Sequence, residues 1–198
     1  MYDSSLQVLI CTVGSGLHFC DSSFLSLSSS QKVDPIEVKH LLLQQQKAVL
    51  KTEEYSRINV RRSHLFDDSF RYFSKASFDE HKLIRVVFIG EEAVDEGGPR
   101  REFFHLLTRD IFCKSGLFVG YPDHVVPSHN VRAVEQNKFY IAGRMISTSL
   151  VQGGEAPACF SKAIADYIVY GDVRSPTCID DIPNFEIKSI LKEVSWYR

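Results

Sequence analysis

The residues best placed to do chemistry cluster in one segment of this 198-residue chain, Gly90-Glu91-Glu92-Ala93-Val94-Asp95-Glu96-Gly97-Gly98-Pro99. Carboxylates at 91, 92, 95 and 96 are a candidate set for metal binding or acid–base work. Their spacing argues against both. A calcium loop places its acids two residues apart and closes with a late bidentate glutamate, and that register is absent. Nor do the glycines have the GxGxxG or GxxxxGK spacing of phosphate loops. The segment reads as a strand ending at Gly90, a tight turn needing positive φ at glycine, and a helix starting after Pro99. Asp95 and Glu96 would then suit the positive end of that helix. A structural role outweighs a catalytic one.

Thiols are the next candidates. Cys11, Cys20, Cys113, Cys159 and Cys178 are odd in number and scattered, with no CxxC. That excludes a disulfide framework and gives a structural zinc site no support. Reduced thiols in the cytoplasm or nucleus fit best. Cys113 and Cys159 are expected to be half-buried small apolar residues. Of the histidines, His40, His64, His81 and His105 fall in four separate elements. His124 and His129 share a loop without a third ligand nearby. Surface or capping roles follow for them, and no metal or cofactor site is expected. Arg61-Arg62 and Arg100-Arg101 are short basic pairs without the clustering and interleaved aromatics of a nucleic-acid patch. The net charge of −2 likewise gives no reason to expect a nucleic-acid or membrane-surface partner. The apolar run at residues 8–13 lacks a basic stretch before it and is far too short to span a bilayer.

The elements that must position these residues come from periodicity. Residues 1–32, with Ser22-Ser23 and Ser28-Ser29-Ser30, read as a poorly ordered leader. Residues 33–198 form the body. Asp34 as cap, Pro35 at the first turn and Glu37 as capping-box partner predict a helix to about Lys51, with Ile36, Leu43 and Leu50 on one face. Alternation at Arg57–Arg61 predicts a short strand. Ser63 would then cap a helix through Phe66, Phe70 and Phe73. Leu83–Ile89 is β-branched and strand-like. Arg101–Phe112 predicts a helix with Phe103, Phe104, Leu107 and Ile111 as its apolar stripe. A hairpin or loop is expected around Leu117-Phe118-Val119, then helices over about 134–151, 161–170 and from Phe185 onward. Small residues Ala142 and Gly143 would let another helix approach closely. The class is α+β, mainly helical with short antiparallel strands. Strand and helix do not alternate regularly, which argues against a doubly wound parallel sheet.

The series Phe88-x-Gly90-Glu91-x-x-x-Asp95-x-Gly97-Gly98-Pro99-x-Arg101-Glu102-Phe103-Phe104 resembles the signature of the N-terminal lobe of HECT-type ubiquitin ligases. Other pieces appear in that family's order. Val60-Arg61-Arg62-Ser63 resembles its upstream strand-to-helix element. Phe139-Tyr140-Ile141-Ala142-Gly143-Arg144-Met145-Ile146 resembles its central helix. Asp180-Asp181-Ile182 with Ile187-Lys188-Ser189-Ile190-Leu191 resembles the stretch leading to its conjugating-enzyme-binding subdomain. The resemblance covers about 33–198, and residues 147–154 resemble the G2/M-phase-specific branch.

The resemblance implies the fold of the lobe's large subdomain. It implies a structural part for Gly90, Glu91, Asp95, Gly97, Gly98, Arg101, Glu102, Phe103, Gly143 and Arg144; from the residues themselves, Asp95, Arg101 and Glu102 are expected to form local ion pairs that brace the turn. It implies a ubiquitin-conjugating enzyme and ubiquitin as partners. In the family, ubiquitin passes to a cysteine of a separate C-terminal lobe and then to a substrate lysine, because a thiolate is a strong nucleophile near neutral pH. Thr177-Cys178-Ile179-Asp180 superficially resembles that catalytic segment. However, Ile179 and Asp180 replace its Phe and Asn, and a carboxylate beside a thiol raises its pKa. Cys178 also follows the central helix too closely to leave room for the rest of the lobe. No catalytic residue is therefore expected here. Two readings follow: part of a ligase that stops before the catalytic lobe and is inactive alone, or a non-catalytic interaction module of the ubiquitin pathway.

Overall fold

A computed structural model of the chain describes residues 40, 43, 44, 46–91, 97–121, 124–155, 157–172 and 179–195. The leader over 1–32 and the Asp34 capping box lie outside the described residues. His40, Leu43, Gln44 and residues 46–49 are helical. Leu43 does not sit in an apolar stripe: it is exposed, and Leu50 is half-buried.

Strand β1 (Lys51–Val60) buries Ile58 and Val60 and turns Arg57 and Asn59 outward, as a half-buried strand should. A 3₁₀ turn (Arg62–His64) leads into α1 (Leu65–Phe73), and β2 follows (Lys82–Phe88). The two strands pair in parallel, with Tyr55 opposite Leu83 and Val60 opposite Phe88. This corrects the expectation of antiparallel strands for this pair. The physical reason is the connection. A parallel pair needs a crossover of about a dozen residues or more, and α1 with its flanking loops provides one. Ser63 is not the helix cap. It lies inside the 3₁₀ turn with its Oγ 2.8 Å from His64 Nδ1. Asp67 and Asp68 in the first turn complement the helix dipole instead.

After the turn, α2 spans Gly98–Cys113 and begins earlier than periodicity suggested, with Pro99 in its first turn. The hairpin is present: β3 (Phe118–Tyr121) pairs antiparallel with β4 (His124–Pro127). The single helix expected over 134–151 is two, α3 (Val131–Glu135) and α4 (Lys138–Val151). The break falls at Asn137, whose φ of 54° is left-handed. Asparagine tolerates that conformation better than most residues, and no glycine or proline marks the break. The Asn130 side chain accepts the Ala133 N–H at 3.0 Å and so starts α3. Ser161 caps α5 (Lys162–Tyr170), and Gly171, at φ 72°, ends it. A 3₁₀ turn (Ile179–Asp181) precedes α6 (Phe185–Ser195), where Asn184 Oδ1 accepts the Ile187 N–H at 3.0 Å.

The core lies between the parallel pair and the helices. Ile58 and Ile84 from the strands meet Phe73 of α1, Phe103, Phe104, Leu107 and Ile111 of α2, and Phe139 and Met145 of α4, all essentially solvent-free. Helix α4 is the centrepiece, packing on α1, α2 and α3. Ala142 and Gly143 are fully buried there, as expected of small residues at a close helix contact. The described residues are mainly helical with short two-stranded sheets, an α+β arrangement.

Candidate functional site

The glycine-rich segment is a strand–turn–helix frame. Gly90 closes β2 at φ 91°, and Gly97 enters α2 at φ 80°. A Cβ on Gly97 would meet nothing within 4 Å. The requirement for glycine is thus conformational rather than steric. Residues 92–96, including Asp95, lie outside the described residues.

Two of the motif's carboxylates have a shared partner. Arg62, from the turn before α1, forks onto both. Its Nε and Nη2 engage Glu91, the latter at 2.9 Å, while Nη1 reaches Glu102 Oε1 at 2.6 Å. The guanidinium also lies 4.1 Å from the centroid of the Phe88 ring. Both carboxyls are held below the usual glutamate range, first by hydrogen bonds from Arg62, and the arginine's own pKa is raised in return. One cation therefore ties the end of β2 to the first turns of α2, across the glycine turn. Arg101, expected to share in this bracing, is exposed, and its backbone N–H bonds to the Gly97 carbonyl at 3.4 Å. Nothing adjacent in sequence signals Arg62, because its partners are 29 and 40 residues away.

Other motif residues pack or hydrogen-bond within the fold. Phe103 is fully buried. Arg144 donates from Nη1 to the Phe73 carbonyl at 2.9 Å, satisfying an acceptor left open at the end of α1. Its Nη2 donates to Tyr140 Oη at 3.0 Å. The guanidinium lies 5.2 Å from the Phe78 ring centroid and 5.1 Å from that of Tyr140, at cation–π distance. Gln152, just past α4, is almost solvent-free, and its amide does the work of a third strand. Oε1 accepts the Ile84 N–H at 2.8 Å and Nε2 donates to the Lys82 carbonyl at 2.9 Å. Gly154 packs so tightly that a Cβ there would lie 2.1 Å from Ser149 Oγ and 3.0 Å from Phe104 Cβ.

Asp68 of α1 clamps the strand-to-helix element. Its Oδ2 accepts from the Arg61 backbone N–H at 3.0 Å and from Nε at 2.9 Å, and Oδ1 accepts from Nη2 at 2.7 Å. These bonds hold the carboxyl down to about 2. A folded pKa below the unfolded value of about 4 adds stability above pH 4 that is lost as pH falls through about 2. Asp68→Asn should therefore melt lower than the parent at pH 7, and its melting temperature should fall less steeply between pH 4 and pH 2. Parallel acid profiles for the two proteins would show that the clamp carries no pH-linked stability.

No described thiol or imidazole forms a reaction centre. Cys113, expected to be half-buried, is exposed because it ends α2 at the surface. Cys159 is half-buried and free, and burial pushes its thiol up, away from nucleophilic use. Cys178 lies outside the described residues. His81, His105 and His124 contact Asp79, Glu155 and Asp181 at 3.1, 3.1 and 3.0 Å. Among the described residues no three His, Cys, Asp or Glu side chains gather as a metal site, and no helix is long and apolar enough to cross a membrane. Among the described residues these contacts brace and pack the fold.

No family model matches the chain. Curated relatives do. It is 28% identical to the G2/M phase-specific E3 ubiquitin-protein ligase of Homo sapiens over 142 residues, 70% of this chain and 20% of that protein. The Gallus gallus protein of the same name is 28% identical over 184 residues, 87% of this chain and 24% of the relative. The probable E3 ubiquitin-protein ligase HECTD2 of Homo sapiens is 26% identical over 145 residues, 70% of this chain and 19% of the relative. The chain thus spans between 19% and 24% of the length of these proteins. These relatives are named E3 ubiquitin-protein ligases, the G2/M phase-specific ligase and HECTD2 among them, and the chain is related to them over most of its length.

Proposed function

We propose that the chain serves as the large-subdomain platform of the N-terminal lobe of a HECT-type ubiquitin-protein ligase, working in the cytoplasm or nucleus, and does not itself carry the transferring thiol. The observation that carries this reading is how the motif residues are used. Gly97 sets a turn, Glu91 and Glu102 hold Arg62, Phe103 fills the core and Arg144 closes α1. All of them build a rigid frame. Electrophile activation and proton transfer would need a nucleophile within reach of a base, and the frame supplies neither. A ubiquitin-conjugating enzyme and ubiquitin are the partners such a platform would serve.

A second feature supports the same reading. Helix α6 exposes Phe185, Ile187, Ile190, Leu191 and Val194, each between 38% and 75% accessible. A face this apolar suits burial against more protein, as fits a helix leading towards the conjugating-enzyme-binding subdomain. The test is a chimera. Residues 51–172 replacing the matching segment of the human G2/M-phase-specific relative should preserve that protein's ligase activity. A cooperatively melting chimera without activity would contradict the proposal.

A further inference from the structure

We propose that the cleft between α1 and the outer edge of β1 docks an acidic, extended peptide segment of a protein partner. The cleft measures about 300 Å³, and its charge is one-sided: Arg57, Arg61, Arg71 and Lys75 line it against the single carboxylate of Asp68. That carboxylate is already committed. It takes three hydrogen bonds from Arg61 and lies 3.8 Å from Arg71 Nη1. Arg57 donates from Nε to Asn59 Oδ1 at 3.0 Å, a neutral acceptor. Lys75 sits 5.5 Å from the centroid of the Tyr72 ring. The Arg71 side chain is 73% exposed. In a chain of net charge −2 this is a local segregation of positive charge, and it favours an anionic partner.

The shape favours a peptide. The floor is preformed: Ile58 and Tyr72 are buried, and the Tyr72 hydroxyl donates to Ser56 Oγ at 2.6 Å. Asp68, Arg71 and Tyr72 lie on one face of α1 at i, i+3 and i+4, and Lys75, two residues past the helix end, also lines the cleft. Among the described residues no strand other than β2 pairs with β1, and adding a strand to a sheet edge is a common way to bind an extended peptide. Ile89, 58% exposed, also lines the cleft and offers an apolar contact. Nucleic acid fits less well. Its bases need exposed aromatic faces for stacking, and the aromatic ring of this cleft, Tyr72, is buried.

The probe is a fluorescein-labelled peptide of Asp and Glu with one central Leu, titrated with the full chain by fluorescence anisotropy. Binding should weaken as salt is raised. It should fall at least about tenfold in the double variant Arg71→Glu, Lys75→Glu, and again in Arg57→Glu on the opposite wall. An Asn/Gln analogue should not bind. Thermal melts of the variants serve as the folding control, and if the double variant does not fold, Arg57→Glu decides alone. Equal binding of the Asn/Gln analogue, undiminished binding by the folded variants, or tighter binding of a single-stranded oligonucleotide of matched charge would overturn the proposal.

Discussion

Phe104→Ala is expected to destabilise the fold by about 3–5 kcal/mol, the usual cost of emptying a fully buried phenylalanine site. Phe104 is solvent-free and stands between the α2 frame and the tight Gly154 turn. That turn is fixed on both sides. The Gly154 N–H bonds to the Ser149 carbonyl at 2.7 Å, and a Cβ at position 154 would press on Ser149 Oγ and lie 3.0 Å from Phe104 Cβ. The cavity can therefore collapse little, which places the cost towards the upper end of the range. Against a total stability of about 5–15 kcal/mol, the melting temperature should fall by roughly 10 °C or more. Arg101→Ala, exposed in the same motif, should change it little. A Phe104 variant melting with the parent would mean that the motif helix is not anchored as described.

Gln152→Ala carries the second large effect, expected at about 2–4 kcal/mol. It strips partners from the Ile84 N–H and the Lys82 carbonyl together. A buried donor left unpaired costs about 1–3 kcal/mol. Gln152→Glu separates the two bonds. A carboxylate still accepts from Ile84 but repels the Lys82 carbonyl and brings a charge into a nearly solvent-free position. It should not rescue the alanine variant. Amide hydrogen exchange reads the effect locally: Ile84 should lose protection in both variants. Unchanged protection at Ile84 would show that another group holds that edge.

What could be read from sequence was what local chemistry determines. The helix over about 161–170, the glycine turn into α2 and the hairpin around Phe118 each depend on residues within a few positions of one another. Arrangements set by distant residues were not legible. The β1–β2 pair is parallel because a whole helix intervenes, and the alternation at Arg57–Arg61 carries no information about direction. The bend at Asn137 uses a left-handed asparagine where a breaker would ordinarily be glycine or proline. Within the site, Gly97, Phe103 and Arg144 came from the motif. The bonds around them join Arg62 to Glu91, Gln152 to Ile84 and Arg144 to Phe73, each across 29 to 71 positions. Among the described residues the turn is braced by Arg62 on Glu91 and Glu102, whereas Asp95, the expected partner of Arg101, lies outside them.

These contacts support the proposed platform role. The most direct test is a ubiquitin-transfer assay on the purified chain with activating enzyme, conjugating enzyme and ATP, resolved without reductant. The account predicts no dithiothreitol-sensitive ubiquitin adduct on the chain. An adduct that forms and is lost in Cys178→Ala would contradict it.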